Sequence, residues 1–352
     1  EYVICKDGRS VGIFHELPEE YQEIPVLDFS DKFIIPGMCD MHVHAPQYGF
    51  RGLGMLLDCN SEWETWFDRY SFPEESRYAD LEYADKAYGR FVDDLLKTTT
   101  TTRASIFATI HRPATELLMR KLADAGFSAY VGKLNMDRNS RFGLQETTEE
   151  TLKETERWLK ETETGYGQVK PILTPRYTPT CTDACMEGLQ VLSEKYQVPV
   201  QSHLSEGLDE IEWVKQLKPG LSCYGEAYDM YDLLGSRQPA VMAHVVHPNE
   251  AEYELIKHRN VLVAHCPQSN TNAANGVAPI LMAHAVSVHC KKACNRARRE
   301  SSWRRLTLPN SKTRWRILSV KRCGYRRSCK PLCVAKRKAC PCRKTLRTSS
   351  VI

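Results

Sequence analysis

The sequence predicts an α/β protein built on a (β/α)₈ barrel, in which strand eight is not recognisable. Short apolar runs alternate with amphipathic segments of ten or more residues, which is typical of βαβ units and a parallel sheet. The chain has 352 residues, enough for a large core or two domains. Histidines follow several predicted strands, as expected at the C-terminal face of a barrel, so the barrel is favoured over a doubly wound open sheet.

Residues 1–35 are predicted to form a partial β-sandwich module. Three short apolar pieces lie between turn signals, namely Val11–Phe14, Ile24–Leu27 and Phe33–Ile35. The chain opens on Glu1 without an initiator methionine or a basic-apolar signal pattern, so we expect these residues to come from the interior of a longer protein.

Residues 36–280 are predicted to form the barrel, and seven strands are recognisable between Ile34 and His265. The first is the apolar run that leads into His42 and His44, and the others are Ala104–Ala108, Ala129–Leu134, Val169–Leu173, Val198–His203, Ala240–His244 and Val261–Cys266. An eighth strand is expected near residues 285–300, but no strand pattern occurs there.

Helices are predicted between these strands from apolar residues at three-to-four spacing. Thr147-x-x-Glu150 has the pattern of a capping box and is predicted to open one of them. The other predicted helices cover residues 78–95, Ala114–Ala125, Asp183–Tyr196, Leu208–Leu217 and Asn249–Arg259. Residues 45–75 are rich in Gly, Pro and aromatics and are predicted to be a long binding loop, or a loop whose aromatics pack onto the body.

Histidines at the predicted strand ends indicate a metal site. His42 and His44 are two positions apart, so on a strand both point to the same side and can bind one divalent metal. His203 ends another strand, and Glu206 three residues later is placed to carry a proton. His244 is predicted to lie beside the metal, whereas His265 could join the site or brace its strand end.

The residues around these histidines resemble the amidohydrolase superfamily, whose opening motif is similar to Pro36-Gly37-x-x-Asp40-x-His42-x-His44. Within that superfamily the resemblance is to guanine deaminases and extends from about residue 10 to about residue 280. The segments that carry it are His42–Tyr48, Thr109–His111, Asn135–Arg138, Thr174–Tyr177, Ser202–Glu206, Met242–His244 and His265–Asn270.

The resemblance implies one zinc ion per chain, bound by His42, His44, His203 and a further aspartate. Zinc lowers the pKa of a bound water from 15.7 to about 7. By the same likeness Glu206 would move the proton from water to the purine amino group, and His244 would orient the nucleophile. The implied reaction of purine catabolism is hydrolysis of guanine to xanthine and ammonia.

The resemblance also implies the substrate contacts. Gln47 and Arg176 would hydrogen-bond the edges of guanine, and Tyr177 would stack on its ring, where the family usually has phenylalanine. His203 and Glu206 would complete the substrate site.

The resemblance implies a homodimer. We expect no membrane segment, because the sequence has no apolar run of 18 residues. The cysteines before residue 290 are scattered singly, which suits a reducing cytosol and predicts a cytoplasmic protein.

Residues 281–352 have a different composition from the rest of the chain. From residue 291 onward the sequence has 21 Lys and Arg but a single acidic residue, Glu300, so its net charge is +20 against −16 for the first 290 residues. Half of the 14 cysteines lie at or after Cys290. Three interpretations compete: an out-of-frame or disordered segment, a basic extension that binds nucleic acid or acidic partners, and a metal-binding tail that uses Cys329, Cys333, Cys340 and Cys342.

The family pattern is predicted to break near Pro279–Ile280. The family's last zinc ligand is an aspartate after strand eight, but this sequence has no aspartate after Asp232. We therefore predict weak or absent deaminase activity. The alternatives are an inactive truncated pseudoenzyme, a protein that binds nucleic acid through its basic tail, and a deaminase of another amino-heterocycle.

Overall fold

The computed structural model describes residues 2–6, 9–30, 37–53, 63–98 and 101–279. The basic tail at 281–352 and the position expected for strand eight lie outside the described residues. The chain divides into two compact units, with the described residues up to 30 in the first and those from 37 onward in the second. Each unit is considered by itself.

The small unit is an antiparallel β-hairpin. Strand β1 (Tyr2–Lys6) pairs with β2 (Arg9–Phe14), and β2 includes the first of the three predicted apolar pieces. The second piece, Ile24–Leu27, forms no strand. Pro25 lacks the N–H that a strand ladder requires, which is consistent with this correction. The third piece lies outside the described residues.

The large unit contains the strands that were predicted for the barrel. They are β3 (Met38–His44), β4 (Thr101–Phe107), β5 (Ser128–Gly132), β6 (Leu134–Asn135), β7 (Val169–Pro171), β8 (Thr174–Pro175), β9 (Val200–Leu204), β10 (Ala240–His244) and β11 (Leu262–Ala264).

Helices connect these strands, and none of those described has an apolar stretch long enough to cross a bilayer. The α-helices are α1 (Trp63–Trp66), α2 (Phe72–Ser76), α3 (Leu81–Thr98), α4 (Arg112–Asp124), α5 (Thr148–Glu161), α6 (Asp183–Tyr196), α7 (Leu208–Leu217), α8 (Glu226–Asp229), α9 (Glu250–Arg259) and α10 (Pro267–Asn272). A π-helix covers Phe67–Ser71, and 3₁₀ turns cover Glu19–Tyr21, Ala45–Phe50, Arg77–Ala79 and Thr178–Thr180.

Strand pairing in the large unit is parallel throughout the described residues. One sheet has the order β3-β4-β5-β7 and a second has the order β9-β10-β11. A parallel bridge between Leu173 and Val200 continues the first sheet into the second, while β6 pairs with β8. Seven successive strands with intervening helices confirm the barrel architecture. The described residues show no pairing between β11 and β3.

A buried polar network links the two sheets. Gln201 on β9 accepts a hydrogen bond from Ser105 Oγ on β4 at 2.6 Å and donates to Thr174 Oγ1 on β8 at 3.0 Å. Gly132 ends β5 beside this network, and a Cβ there would lie 1.7 Å from Thr174 Oγ1. Glycine is therefore required at this close approach.

The long loop predicted for residues 45–75 is largely helical in its described part, so that prediction is wrong. A 3₁₀ turn is followed by α1, the π-helix and α2. Phe67 and Phe72 are buried with ring centroids 4.8 Å apart, and Pro73 lies in the first turn of α2, where a missing N–H costs nothing. These two aromatics do pack onto the body, as the alternative interpretation proposed.

Candidate metal centre and ligand cavity

Four histidines from three strands converge at one point. His42 and His44 lie on β3, His203 on β9, and His244 ends β10. The ring centroid of His42 is 4.8 Å from that of His203 and 5.2 Å from that of His244. Ring nitrogens of these three residues lie within 4.8 Å of one another, and His44 Nε2 is 3.0 Å from His203 Nε2.

The strand ends turn sharply beside these histidines. In the β9–β10 register Ala243 is opposite His203, which places His244 one residue beyond it. The backbone then enters the left-handed region, with φ of 75° at His244 and 48° at Val245. Such a conformation is costly for a β-branched residue and is typical of functional sites.

The histidines are suited to bind a divalent metal ion. Burial, followed by the charges of neighbouring histidines, holds the pKa values of His42, His44 and His203 well below the usual range, so their imidazoles are neutral. His203 Nδ1 lies 2.6 Å from the Arg176 carbonyl oxygen and donates to it, which leaves the Nε2 lone pair toward His44. A hydrogen bond from the other ring nitrogen of a histidine fixes the tautomer that binds a metal.

Glu206 and His244 form a buried pair next to the other histidines. Glu206 Oε2 is 3.3 Å from His244 Nε2, and Glu206 Oε1 accepts a hydrogen bond of 2.9 Å from Asn275 Nδ2. Burial raises the pKa of Glu206 to about 8 and lowers that of His244 to about 4. His244 Nδ1 donates to Asn270 Oδ1 at 2.8 Å, so its Nε2 carries the lone pair.

A second carboxyl group, that of Glu210, lies behind Glu206. Its Oε1 accepts from Tyr224 Oη at 2.8 Å, and its Oε2 accepts from the Glu206 backbone N–H at 3.1 Å. Burial and then the charge of Glu206 raise the pKa of Glu210 to about 7. Two buried carboxyl groups with raised pKa values therefore lie on the same side of the cavity, as is common where protons are transferred.

Four hydrogen-bonded residues, which we call the Arg176 wall, comprise two that line the cavity, Gln47 and Arg176, and two behind them, Ser71 and Glu75. Arg176 donates from Nη1 to Glu75 Oε2 at 2.5 Å and from Nη2 to Glu75 Oε1 at 2.9 Å. Gln47 Nε2 donates to Ser71 Oγ at 3.2 Å and to Glu75 Oε1 at 3.1 Å. Ser71, Glu75 and Arg176 are almost completely buried.

Aromatic side chains complete the cavity, which has a volume of about 80 Å³. The Tyr177 ring is nearly parallel to that of Phe67, with centroids 6.1 Å apart. The lining residues are His42, His44, Gln47, Trp66, Phe67, Arg176, Tyr177, His203, Glu206, Glu210, His244 and Ser269.

The structure brings every predicted site residue to this one cavity, although their individual roles stay predictions. His265 is exposed and does not line the cavity. Two pairs of residues were not singled out from the sequence. Ser71 and Glu75 form hydrogen bonds with Gln47 and Arg176. Asn270 and Asn275 form hydrogen bonds with His244 and Glu206, respectively. The four-residue spacing of Ser71 and Glu75 would have been a signal had their segment been predicted as helical.

Comparison with known proteins agrees with the resemblance found in the sequence. The profile of the amidohydrolase family matches residues 33–294, which extends beyond the predicted break near residue 280. The chain is 42% identical over 252 residues to the guanine deaminase of Dictyostelium discoideum (71% of this chain, 54% of that protein) and 39% identical over 264 residues to that of Rattus norvegicus (73% and 56%). It thus spans just over half the length of these relatives.

A solved structure is similar as well. The guanine deaminase from C. acetobutylicum, crystallised with guanine in its active site, superimposes with a TM-score of 0.75 and 42% identity. The match covers 79% of this chain and 65% of that one.

Proposed function

The chain belongs to the amidohydrolase family, and we propose that it carries a site for hydrolytic deamination of guanine to xanthine and ammonia. The observation that supports this most is the convergence of four histidines and Glu206 in a cavity bounded by Gln47 and Arg176. Similarity to guanine deaminases over about 70% of the chain supports the choice of substrate.

We propose that one zinc ion binds per chain, held by His42, His44 and His203. Neutral imidazoles are good zinc ligands, and the described geometry supplies three of them from two strands. When bound, zinc would supply a water whose pKa is near neutrality, at about 7.

Glu206 is the proposed proton carrier. When ionised, its carboxylate takes a proton from the attacking water and delivers it to the 2-amino nitrogen of guanine. The C2–N bond then breaks and ammonia leaves, while the water oxygen remains on C2. Asn275 fixes one carboxylate oxygen and His244 lies at the other, where its neutral Nε2 orients the water. Such general acid–base catalysis contributes about 10²–10⁴-fold.

We propose substrate contacts for three other residues that line the cavity. Gln47 and Arg176 hydrogen-bond the purine edge, and Tyr177, already nearly parallel to Phe67, stacks on the purine ring. His203 and Glu206 approach the amino-bearing carbon. A planar ligand with donors and acceptors on its rim suits these groups.

We expect turnover to be weak, because the sequence has no aspartate after Asp232 to complete the family's zinc site. Among the described residues the carboxylates that line the cavity are those of Glu206 and Glu210. The test measures bound zinc, guanine affinity and ammonia release for the purified chain. We expect one zinc, measurable guanine binding and slow release that Glu206→Gln abolishes. Loss of both zinc and guanine binding would overturn the proposed site, and turnover typical of the family would overturn the impairment.

A related substrate is the main competitor, so the same assay should include adenine, cytosine and a triazine. Preference for one of these would replace guanine while keeping the reaction class. We also propose the homodimer and the cytoplasmic location from family resemblance and from the free state of the described cysteines. Light scattering and cell fractionation test these two points.

Nucleic-acid binding is the second candidate, supported by the net charge of +20 from residue 291 onward. Binding through such a segment should weaken steeply with salt and disappear when residues 291–352 are deleted. Binding that survives the deletion would remove the basic tail from consideration.

A further inference from the structure

Glu75 and Ser71 have no role in the proposed chemistry, although they lie directly behind two proposed substrate contacts. Neither residue lines the cavity, and both are fully buried. They come from the π-helix and α2, about 100 positions before Arg176 in the sequence. π-helical turns are frequently found at functional sites.

The chemistry of Glu75 determines which way Gln47 points. A carboxylate can only accept hydrogen bonds, so the amide group that faces Glu75 must be the NH₂ group. The carbonyl oxygen of Gln47 has no partner among the described residues, and Gln47 lines the cavity. Gln47 therefore presents an acceptor to a ligand.

The same carboxylate restricts Arg176. Both Nη atoms are occupied by Glu75, and Nη2 also donates to Ser71 Oγ at 3.0 Å. Arg176 Nε is buried without a hydrogen-bond partner among the described residues. The two-pronged face that binds carboxylates and phosphates is thus used internally, and the positive charge of Arg176 is balanced by Glu75.

We propose that Glu75, supported by Ser71, is a positioning residue that makes the Arg176 wall selective for neutral heterocycles with an N–H donor beside a carbonyl acceptor. The donor would bind Gln47 Oε1 and the acceptor would bind Arg176 Nε–H. The N1–H and O6 edge of guanine has this arrangement and adjoins the amino-bearing C2. This inference rests on the proposed function, since it concerns how the same cavity selects its purine.

The test measures binding rather than turnover. It therefore uses purines that have no 2-amino group for the site to remove. Hypoxanthine retains N1–H and O6, whereas adenine has an acceptor at N1 and an amino donor at C6, so both groups are reversed. Urate is an anion at neutral pH and tests the charge balance. We expect the wild-type chain to bind hypoxanthine at least about 10-fold more tightly than adenine, because the reversed donor and acceptor leave buried groups unpaired.

Two substitutions separate positioning from folding. In Glu75→Gln the new side chain can donate as well as accept a hydrogen bond. The Gln47 amide can therefore rotate by about 180° and exchange its NH₂ and carbonyl groups. Arg176 also loses its counter-charge. We expect the preference for hypoxanthine to fall below about 3-fold and urate binding to appear. Ser71→Ala keeps the Glu75–Arg176 pair and should lose only part of the preference.

The matched control is Glu74→Gln. Glu74 is the neighbouring carboxylate on α2, but its side chain pairs with Arg77 and Tyr83, and among the described residues it forms no hydrogen bond with Gln47, Ser71 or Arg176. The Glu74→Gln substitution should leave the preference for hypoxanthine unchanged. If the wild-type chain binds hypoxanthine and Glu75→Gln retains both the preference and the exclusion of urate, the inference is wrong while the proposed function stands. If the wild-type chain binds neither guanine nor hypoxanthine, the proposed function itself fails.

Discussion

At the scale of single residues, the Glu206–His244 pair depends on two asparagines from one short stretch. Asn270 accepts from His244 Nδ1, and Asn275 donates to Glu206 Oε1. The Asn275 backbone N–H in turn donates to the Asn270 carbonyl oxygen at 2.9 Å, so the two amides are held together. The side chains of Glu206 and His244 are therefore held by residues 270–275, which follow β11.

Replacing Asn270 by alanine tests this dependence. The change removes the acceptor that keeps the His244 proton on Nδ1, and we expect ammonia release to fall about 10–100-fold with little change in guanine affinity. Asn270→Asp retains the acceptor and should recover much of the rate. Equal losses in both variants would show that the amide supports packing rather than the tautomer.

The residues proposed to contact a metal or substrate were easier to predict than the residues that hydrogen-bond to them. His42, His44, His203, Glu206 and His244 follow strand patterns, and parallel strand ends meet at one edge. The contact between Glu75 and Arg176 joins positions 101 apart in the sequence. No local pattern specifies such a pair, because it exists only once the chain has folded.

At the scale of elements, helices with strong local signals were predicted closely, and α6 and α7 have the predicted bounds. The helical segment at Trp63–Ser76 was missed. It contains aromatic and proline residues of modest helix propensity and is stabilised by packing of Phe67 against Phe72. Tertiary contacts therefore determine its conformation.

The capping box of α5 gives a prediction about stability. Thr147 Oγ1 accepts from the Glu150 backbone N–H at 3.2 Å, and Glu150 Oε2 accepts from the Thr147 backbone N–H at 2.9 Å. Thr147→Ala should lower the free energy of unfolding by about 1 kcal/mol in urea denaturation. Thr147→Ser, which keeps the hydroxyl, should cost less than half of that; an equal loss would contradict the capping role.

The start of α7 gives a prediction about pH. Glu210 has a pKa of about 7 in the fold against 4.5 in the unfolded chain. The folded state binds the extra proton between these values, so its contribution to stability is complete below pH 4.5 and is lost as pH rises through 7. Glu210→Gln removes the titration but keeps an acceptor for the Glu206 N–H.

We expect the wild-type chain to lose about 2–3 kcal/mol relative to Glu210→Gln between pH 4.5 and pH 8. The measurement is urea unfolding with a chelator present, so that metal binding adds no pH dependence of its own. Glu212→Gln, an exposed carboxylate on the same helix, should follow the wild-type chain. A pH dependence that Glu210→Gln leaves unchanged would refute the assignment.

At the scale of the whole large unit, the converging histidines come from two of its sheets. His42 and His44 belong to the sheet of β3, whereas His203 and His244 belong to the sheet of β9 and β10. In the described residues the backbone link between these sheets is the single bridge from Leu173 to Val200, supplemented by the Gln201 network. A metal ion at the histidines would therefore join the sheets at a second place.

This placement predicts that metal binding stabilises the fold and does more than complete the site. Zinc at about 1,000 times its dissociation constant should add about 4 kcal/mol and raise the Tm, because the unfolded chain cannot hold β3 and β9 together. The wild-type chain should lose this increase with chelator. His203→Ala should show a low Tm that zinc no longer changes, whereas His258→Ala, an exposed histidine on α9, should respond as the wild-type chain does. Unfolding of the wild-type chain at the same temperature with zinc and with chelator would show that the histidines do not bind metal across the two sheets.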